Sequence, residues 1–429
     1  MCKILRPIDI PYCYAEKIIP EQLTQDKKTD VVIVGGGMAG LSAAQEFAQR
    51  GLSVILLEKF FCGSGATGKN SGYVTPNSEL DLDHFIKSYG SDDAKKIWNF
   101  NVGGQELIRS NIEQYNLSCE YQKQDTLLLA NSPRKFKKFI KYEFDALKHL
   151  GFGTWLWDKD ELKSYVNSDK YYGAVGYANS FSINSYQYCQ QMKEYLKNSG
   201  VKIYEETPVL QVHQDYVQTH TYKVFAKKII LCVDHFLTDL DLLKNKVYTV
   251  QTFLLLSKPL SQEQIKKIFP KQNYMVWDSD LIYQYYRLNS DNRLILGGSG
   301  YFNSYVDHEQ CNKISIYEKL NCYIKNKFPQ VDIEFEYMWP GLIGISKDLV
   351  PIAGFDKKNP NIYYVSAATG LTWAAALGRY SASAILDDNK DFQELFSPYR
   401  KFHIGDGLQK ILGKRISFAV SNFLSIKNL

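Results

Sequence analysis

The feature that most constrains this chain is a glycine-rich turn between an aliphatic run and a helical pattern. Its glycines, Gly35, Gly37 and Gly40, have the G-x-G-x-x-G spacing, and a second aliphatic run at 54–57 ends at Glu58. This order predicts a nucleotide-binding βαβ unit. The first glycine permits the tight turn, the second admits a pyrophosphate, and the third lets the helix lie close to the sheet. The helix N-terminus would bind phosphate and the acid a ribose. The alternative, a βαβ turn without a ligand, is disfavoured by so complete an arrangement.

The composition argues against several other classes of protein. A chain of 429 residues is long enough for two or more domains, and its net charge of +5 is too small to indicate nucleic-acid binding. The eight cysteines form no C-x-x-C pair and the first twenty residues contain no secretory apolar run, which favours reduced thiols in a cytoplasmic protein. No segment is as long and apolar as a membrane span. The histidines lack zinc spacing, and Asp81, Asp83 and His84 fit a helix start better than a metal site.

The order of patterns along the chain predicts a mixed α/β protein. A hairpin is expected around the turn at 289–292. We expect helices at 92–117, 135–150, 186–199 and 371–386, and strands at 124–130, 201–204, 209–212, 227–233, 248–256, 281–287, 293–298 and 362–365.

Two further segments strengthen the nucleotide-binding interpretation. A loop at 61–78 is rich in small residues and follows Glu58 directly, so it can run along a cofactor. A Trp-Pro-Gly-Leu segment at 339–342 precedes Ala-Thr-Gly-Leu-Thr at 368–372, where a helix begins. Together with the glycine turn, these motifs resemble the D-amino acid oxidase or glycine oxidase family of FAD flavoproteins. Within that family the chain is most similar to the gamma-glutamylputrescine oxidase type.

The resemblance implies the fold class and a division into domains. It implies a Rossmann-like FAD-binding domain of the glutathione-reductase type and a second α+β substrate domain built on an antiparallel sheet. The expected boundaries are an N-terminal arm at 1–28, an FAD-binding domain at 29–85, 171–240 and 339–395, a substrate domain at 86–170 and 241–338, and an amphipathic tail at 396–429.

The resemblance also implies where FAD binds. The glycine turn would hold the pyrophosphate, Glu58 the ribose, Val209 the adenine, and the helix beginning near Gly370 would stabilise negative charge on the reduced flavin. The expected cofactor-binding residues are Gly35, Gly36, Gly37, Met38, Ala39, Gly40, Glu58, Lys59, Thr67, Gly68, Lys69, Asn70, Ser71, Val209, Gly341, Thr369, Gly370, Leu371 and Thr372.

Two departures from the family bear on substrate and attachment. In glycine oxidase an arginine just beyond the Trp-x-Gly motif holds the substrate carboxylate, and here Ile343 stands there, so a free α-amino acid is disfavoured unless Arg287 supplies the charge. In monomeric sarcosine oxidase a nearby cysteine is bonded to the flavin, and here that position is Gly341. We therefore expect FAD without a covalent bond, with Cys62 as the residue to check.

The candidate catalytic residues are Lys69, Tyr286, Arg287 and Trp339, with Tyr73 and Tyr285 as further substrate contacts. Side-chain alternation along a strand puts Tyr286 and Arg287 on opposite faces, so both cannot line the site equally. Lys69 would stabilise negative charge during reduction or oxygen activation, or be a surface lysine. A structural salt bridge is the alternative for Arg287, and plain core packing is the alternative for Trp339.

The expected reaction is the oxidation of an amine or amino-acid derivative by hydride transfer to FAD, followed by hydrolysis of the imine and reoxidation by O2. One alternative is an amino-acid or hydroxy-acid dehydrogenase that uses a quinone. Another is a non-catalytic flavoprotein that binds a macromolecular partner, and a nicotinamide dehydrogenase is the weakest.

The tail, Leu408 to Leu429, carries apolar residues on one helical face with basic residues beside it. Such a helix can contact a membrane surface. Docking of the helix on its own domain is the favoured interpretation, because any docked helix has an apolar stripe.

Overall fold

The computed structural model describes residues 6–7, 21–77, 79–280, 283–298, 304–306, 309 and 314–427. Most of the predicted arm at 1–28, the first two residues of the predicted strand at 281–287 and the last two of the tail lie outside the described residues. So do Cys2, Cys13 and Cys311. The cysteines among the described residues are free thiols: Cys62, Cys119, Cys189, Cys232 and Cys322.

The strands follow one another along the whole described chain. They are β1 (Arg6–Pro7), β2 (Lys27–Val34), β3 (Val54–Leu57), β4 (Tyr73–Val74), β5 (Gln122–Lys123), β6 (Thr126–Leu129), β7 (Thr154–Asp158), β8 (Gly173–Tyr177), β9 (Phe181–Ser182), β10 (Lys202–Tyr204), β11 (Gln211–Val212), β12 (Tyr216–Gln218), β13 (Lys223–Leu231), β14 (Tyr248–Pro259), β15 (Met275–Asp278), β16 (Tyr285–Leu288), β17 (Arg293–Gly298), β18 (Phe335–Ile345), β19 (Ile352–Phe355) and β20 (Ile362–Ser366).

The helices alternate with these strands. They are α1 (Met38–Gln49), α2 (Ala66–Lys69), α3 (Leu82–Tyr89), α4 (Ser91–Gln114), α5 (Pro133–Lys135), α6 (Lys141–Leu150), α7 (Lys159–Lys163), α8 (Ser185–Asn198), α9 (Gln262–Ile268), α10 (Ile314–Lys327), α11 (Leu371–Leu386), α12 (Gln393–Phe396), α13 (Asp406–Leu412) and α14 (Lys414–Lys427), with a π-helical turn at Phe136–Ile140 and a 3₁₀ turn at Asp234–Thr238.

The nucleotide-type sheet has the expected parallel centre. Among the described residues its strands run in the order β10-β3-β2-β13-β12-β11, and β20 pairs with β13 on the same sheet. The pairs from β10 to β13 and the pair β13–β20 are parallel, while β12, β11 and β19 add antiparallel edges. Strands β3 and β20 are buried throughout, which explains their unbroken aliphatic and aromatic sequences.

Helices of small residues cover this sheet closely. Helix α11 crosses α1 at Gly378, where a Cβ would lie 2.2 Å from the carbonyl oxygen of Ala39. Helix α4 crosses α11 at Gly104, where a Cβ would lie 2.0 Å from the carbonyl oxygen of Thr372. These two glycines are therefore required for the close approach of three helices, a role that the sequence alone does not reveal.

The second sheet, which was predicted to be antiparallel, is partly parallel. Its described strands run β1-β18-β14-β17-β16-β15-β6-β8-β7. Most neighbours are antiparallel, including the predicted hairpin of β16 and β17, but β6–β15 and β1–β18 are parallel. Strand β8 lies in this sheet although 171–240 was assigned to the FAD-binding domain, and β18 crosses the expected boundary at 339. Strand pairing between distant segments is a long-range property that local patterns do not encode.

Several element predictions need correction. Val209 precedes β11 in an irregular segment, and it does not begin a strand. The predicted helix at 135–150 is interrupted by the π-helical turn at Phe136–Ile140. The tail forms two helices because Gly413 adopts φ +78° between them. Helix α14 docks on its own domain as favoured, but its apolar stripe faces outward. No helix within the described residues is long and apolar enough to cross a membrane.

A pair of acids is buried between α3 and α6. Asp81 begins α3, accepts a hydrogen bond from Asn77 Nδ2 at 3.1 Å, and lies near Glu143. Glu143 accepts hydrogen bonds from the backbone N of Asp83 at 2.9 Å and from Tyr177 Oη at 3.2 Å. Burial raises the pKa of Asp81 to about 7, and burial together with the charge of Asp81 raises the pKa of Glu143 well above its usual value. The folded protein therefore holds protons here that the unfolded chain releases.

We predict that Asp81→Asn stabilises the protein at alkaline pH. The stabilisation from the raised pKa of Asp81 is fully present below pH about 4 and is lost as the pH rises through about 7. The neutral amide removes that loss, so the apparent melting temperature should rise by about 2 °C or more at pH 8 and by clearly less at pH 5, where only part of the stabilisation has been lost. Thermal unfolding of both proteins at the two pH values checks this. An equal shift at both values would contradict it.

Candidate cofactor and active site

The glycine turn has the geometry that nucleotide binding requires. Gly35 adopts φ +106°, which a residue with a Cβ rarely tolerates, and follows β2 directly. At Gly40 a Cβ would lie 1.9 Å from the carbonyl oxygen of Gly35, so only glycine lets α1 start this close to the strand. Gly37 is the N-cap of α1 and has no side chain to occupy the helix N-terminus. This end of the helix is thus open toward the adjoining cavity.

Glu58 joins the end of β3 to the turn. Its Oε2 accepts a hydrogen bond from the backbone N of Gly36 at 2.6 Å, and its Oε1 accepts bonds from the backbone N of Phe60 at 3.0 Å and Ser64 Oγ at 3.3 Å. Burial raises the pKa of Glu58, and these donors oppose that rise. The side chain also lines the cavity.

A cavity of about 650 Å³ runs from the glycine turn to the second sheet. Its volume lies within the range of cofactor and ligand pockets, roughly 300–1,000 Å³. Among the predicted cofactor-binding residues, the cavity is lined by Gly35, Gly37, Met38, Ala39, Glu58, Lys59, Thr67, Lys69, Asn70, Ser71, Val209, Gly341, Thr369, Gly370, Leu371 and Thr372. Gly36, Gly40 and Gly68 are not in the lining, because the first two pack against neighbouring backbone or side chains and the third lies within α2.

Two polar features of the cavity suit a bound dinucleotide. His235 lines the cavity and is largely buried; its Nδ1 lies 3.6 Å from Asp234 Oδ2, and its Nε2 has no hydrogen-bond partner within the described residues. Helix α11 begins at the cavity wall, and its N-cap, Gly370, has no side chain to accept the first N–H groups. An anionic group in front of this helix would be stabilised by those N–H groups and by the helix dipole. The residues present therefore fit FAD.

The small-residue loop is held in place by its own polar side chains and by a tryptophan of the second sheet. Thr67 Oγ1 accepts a hydrogen bond from the backbone N of Met38 at 3.1 Å. Asn70 closes the loop on itself, donating to the Thr67 carbonyl at 2.6 Å and accepting from the backbone N of Gly72 at 2.7 Å. Trp339 Nε1 donates to the Lys69 carbonyl at 3.0 Å.

The structure corrects three of the predicted catalytic positions. Tyr286 is fully buried in the core of the second sheet, beside Phe269 and Phe328, and does not reach the cavity. Arg287 lies on the other face, as alternation predicted, but its guanidinium donates to backbone carbonyls instead of lining the cavity. Trp339 is likewise outside the cavity lining, and its contact with the loop is the hydrogen bond to the Lys69 carbonyl.

The opposite end of the cavity is aromatic and acidic. Tyr73 and Trp277 stack with ring centroids 5.9 Å apart, and Tyr283 and Tyr285 complete the wall, also 5.9 Å apart. Tyr283 Oη donates to Glu79 Oε1 at 2.8 Å. Burial raises the pKa of Glu79, and burial raises the pKa of Tyr285 to about 12.

Lys69 lines the cavity beside Gly341 and Glu309. Its Nζ is 3.4 Å from Glu309 Oε1, and its Cβ is the nearest side-chain atom to the position that a Cβ on Gly341 would occupy, at 3.9 Å. Lys69 and Glu309 both line the cavity. The lysine is thus a positive charge inside the cavity rather than on the open surface, with only 20% of its side chain exposed.

Sequence reasoning missed two acids of this site. Glu79 lies just after the small-residue loop and belongs to no recognisable sequence motif. Asp234 follows β13, and its Oδ2 and Oδ1 accept hydrogen bonds from the backbone N of Gly344 at 2.6 Å and of Ala367 at 3.0 Å. Asp234 thereby joins β13, β18 and β20 at the cavity wall. Its φ of +49° is the only local sign of this role, and a sequence does not show it.

We predict that Gly40→Ala weakens both folding and flavin retention. The added methyl group meets the Gly35 carbonyl and forces α1 from the sheet, which should cost about 1–3 kcal/mol of unfolding free energy. The purified variant should carry less flavin by its visible absorbance. Gly405→Ala is the matched control, because nothing lies within 4 Å of its added Cβ. Equal flavin content in the two variants would argue against the close approach.

Comparison with known proteins agrees with this geometry. A sequence model of the family described as FAD dependent oxidoreductase (DAO) matches residues 30–384. The probable oxidoreductase OrdL of Haemophilus influenzae is 30% identical over 381 residues, covering 86% of this chain and 85% of the relative. Gamma-glutamylputrescine oxidoreductase of Escherichia coli is 28% identical over 388 residues, covering 88% of each.

Among solved structures, glycine oxidase from Geobacillus kaustophilus superposes with a TM-score of 0.75 at 16% identity, covering 88% of this chain and 100% of that one. This likeness confirms the predicted fold class, a Rossmann-like α/β FAD-binding fold with a second sheet-based part. The predicted cofactor, FAD, is confirmed by the family match. The chain belongs to the DAO family of FAD-dependent oxidoreductases and is an enzyme.

Proposed function

We propose that this enzyme oxidises an amine whose chain carries a second positively charged group, such as a diamine or polyamine derivative. The observation that carries the proposal is Glu79 at the end of an aromatic wall formed by Tyr73, Trp277, Tyr283 and Tyr285. A carboxylate attracts an ammonium group by charge, and the surrounding aromatic faces add cation–π contact. The bound ammonium group in turn opposes the rise in the pKa of Glu79 that burial causes, and so favours the ionised carboxylate. The name of the Escherichia coli relative, a gamma-glutamylputrescine oxidoreductase, supports an amine of this class.

The lack of a carboxylate clamp supports the same proposal. Among the described lining residues there is no arginine, and Ile343 lines the cavity at the position of the family's carboxylate-binding arginine. Arg287 does not replace it, because its donors bind the carbonyl oxygens of Ser71, Ile183 and Leu288. A free α-amino acid would leave its carboxylate without a guanidinium partner.

The bound FAD would accept a hydride from the carbon next to the reacting nitrogen, after which the imine hydrolyses in water. The chain's own residues bind and orient. Glu79 and the aromatic wall hold the distal cation, and Trp339 and Arg287 fix the loop that carries Lys69. We propose that FAD is held without a covalent bond, since Gly341 carries no thiol and Cys62 is buried outside the cavity lining. Cys232 does line the cavity, but burial raises the pKa of its thiol to about 12, which disfavours the reactive thiolate.

We propose dioxygen as the electron acceptor, with a quinone as the alternative. Lys69 puts a positive charge inside the cavity, where it would favour the negative charge that develops on oxygen. The cytoplasmic location and the division into domains also stay predictions.

Anaerobic mixing of the purified enzyme with polyamines, γ-glutamyl polyamines, N-methyl amino acids and D-amino acids tests the substrate class. Bleaching by D-amino acids and not by amines would overturn the proposal, and admission of air then tests for peroxide.

We predict that Glu79→Gln raises KM for a dicationic substrate by roughly 10- to 100-fold, the usual effect of losing a hydrogen bond to a charged group. The change in kcat should be smaller, because the residue holds the distal cation. The KM for a monoamine of equal length should change little. Glu309→Gln is the matched control, an acid of the same cavity that faces Lys69. An equal rise in KM for both substrates would contradict the assigned role.

We predict that Lys69→Met slows reoxidation of the reduced enzyme by dioxygen by roughly 10²-fold, as loss of a positioned charge does elsewhere. Stopped-flow absorbance after anaerobic reduction measures the rate. Lys59→Met is the control, because Lys59 lines the same cavity but lies 4.8 Å from the ring centroid of Phe236, toward the nucleotide end. Reoxidation at the wild-type rate would remove Lys69 from this role.

A further inference from the structure

The C-terminal helix α14 is amphipathic, but its mostly polar side faces the protein and its apolar side faces outward. This is the reverse of what a docked helix normally shows. Its buried face is mostly small and polar, and consists of Ser417, Phe418, Ser421, Asn422 and Ser425. Its outward face carries Ile416, Val420 and Leu424, which are 55%, 39% and 38% exposed. These three residues are spaced by four and form one row along the helix. Ile411 and Leu408 on α13 extend the exposed apolar surface, Ile411 being 81% exposed.

Specific contacts fix this orientation. Asn422 Nδ2 donates to the carbonyl oxygens of Ser346 at 2.8 Å and Lys347 at 2.9 Å, and Asn422 Oδ1 accepts from Tyr305 Oη at 3.0 Å. Phe418 packs against Tyr248 with ring centroids 5.3 Å apart. Rotating the helix to bury its apolar row would break these contacts. The row is therefore presented outward by the fold itself, and an exposed apolar patch of this kind marks an interaction surface.

The charge of the chain is concentrated in the same segment. Residues 400–429 contain six Lys and Arg and a single acid, Asp406, so their net charge is +5, which equals the net charge of the whole protein. The remaining residues, 1–399, are neutral overall. Lys401, Lys410 and Arg415 are exposed, and the last two lie on α13 and α14 themselves. An apolar row flanked by basic residues matches the interface of an anionic lipid bilayer.

We propose that the outward face of α13 and α14 binds the surface of a membrane that contains anionic lipids. The apolar row enters the boundary between headgroups and acyl chains, and the basic residues contact the lipid phosphates. A second copy of the chain fits less well, because a two-fold contact through this face would bring two segments of charge +5 together. Asn422 and Ile426 of α14 also line the cavity, so binding brings the cavity wall next to the bilayer.

The test is sedimentation of the full-length holoenzyme with vesicles of phosphatidylcholine alone or of phosphatidylcholine with phosphatidylglycerol. We expect binding to the anionic vesicles only. Raising the salt to about 1 M, where the Debye length is about 3 Å, should weaken that binding. The triple variant Ile416→Ser, Val420→Ser, Leu424→Ser should bind at least about tenfold less tightly, because three apolar side chains no longer enter the lipid. Absence of wild-type sedimentation would overturn the proposal.

A matched control removes equally exposed apolar groups elsewhere. The variant Ile314→Ser, Tyr142→Ser, Leu386→Ser changes residues that are 70%, 48% and 42% exposed, and it should bind vesicles as the wild type does. Equal loss in both variants would overturn the assignment to the tail. So would a wild-type dimer that the tail variant converts to monomer without any vesicle binding.

Hydrogen exchange on the wild type keeps the proposal testable if the tail variant does not fold. Peptides from 406–427 should gain protection on anionic vesicles, and unchanged exchange there would overturn the proposal. Flavin content and amine turnover with a soluble acceptor are measured on each variant. Because the tail residues changed do not line the cavity, loss of vesicle binding with normal turnover separates this inference from the proposed function.

Discussion

Three backbone segments meet at Glu58, and the nucleotide end of the cavity depends on that junction. The carboxylate binds the N–H groups of Gly36 and Phe60, while the backbone N donates to the Tyr204 carbonyl at 2.9 Å and the backbone O accepts from Thr207 N at 2.8 Å. A buried carboxylate is tolerated only where donors surround it. The glycine turn, the start of the small-residue loop and the segment after β10 are thus ordered by one residue, the first two through its carboxylate and the third through its backbone.

The flavin end is ordered in a different way, by side chains that bind backbone carbonyls. Trp339 and Arg287 both come from the second sheet and hold the carbonyls of Lys69 and Ser71. Burial lowers the pKa of Arg287 to about 10, and its contacts with several carbonyl oxygens compensate part of the desolvation. Of the predicted substrate contacts, Trp339 and Arg287 are therefore structural, whereas Tyr73 and Tyr285 line the cavity, with Glu79 as the acid at its aromatic end.

Local signals in the sequence predicted local structure well. Helix α11 has the predicted bounds, 371–386, because Gly370 adopts φ +105° and stops the preceding backbone from continuing into the helix. The βαβ unit was also predicted, since its strands, glycines and acid are adjacent in the chain. The alternation of Tyr286 and Arg287 was predicted as well. That neither residue lines the cavity was not predicted, because this depends on the partner strands β15 and β17 and on what packs above each face.

Long-range features escaped prediction for the same reason. Asp234 and Glu79 become site residues only when segments more than a hundred residues apart meet, as in the contact of Glu79 with Tyr283. The tail shows the limit most clearly. Periodicity identified the apolar row of α14, but burial of that row was an assumption about its neighbours. Asn422 reverses it by binding carbonyls near the end of β18, so one helix presents polar atoms to the cavity and apolar side chains to the surroundings.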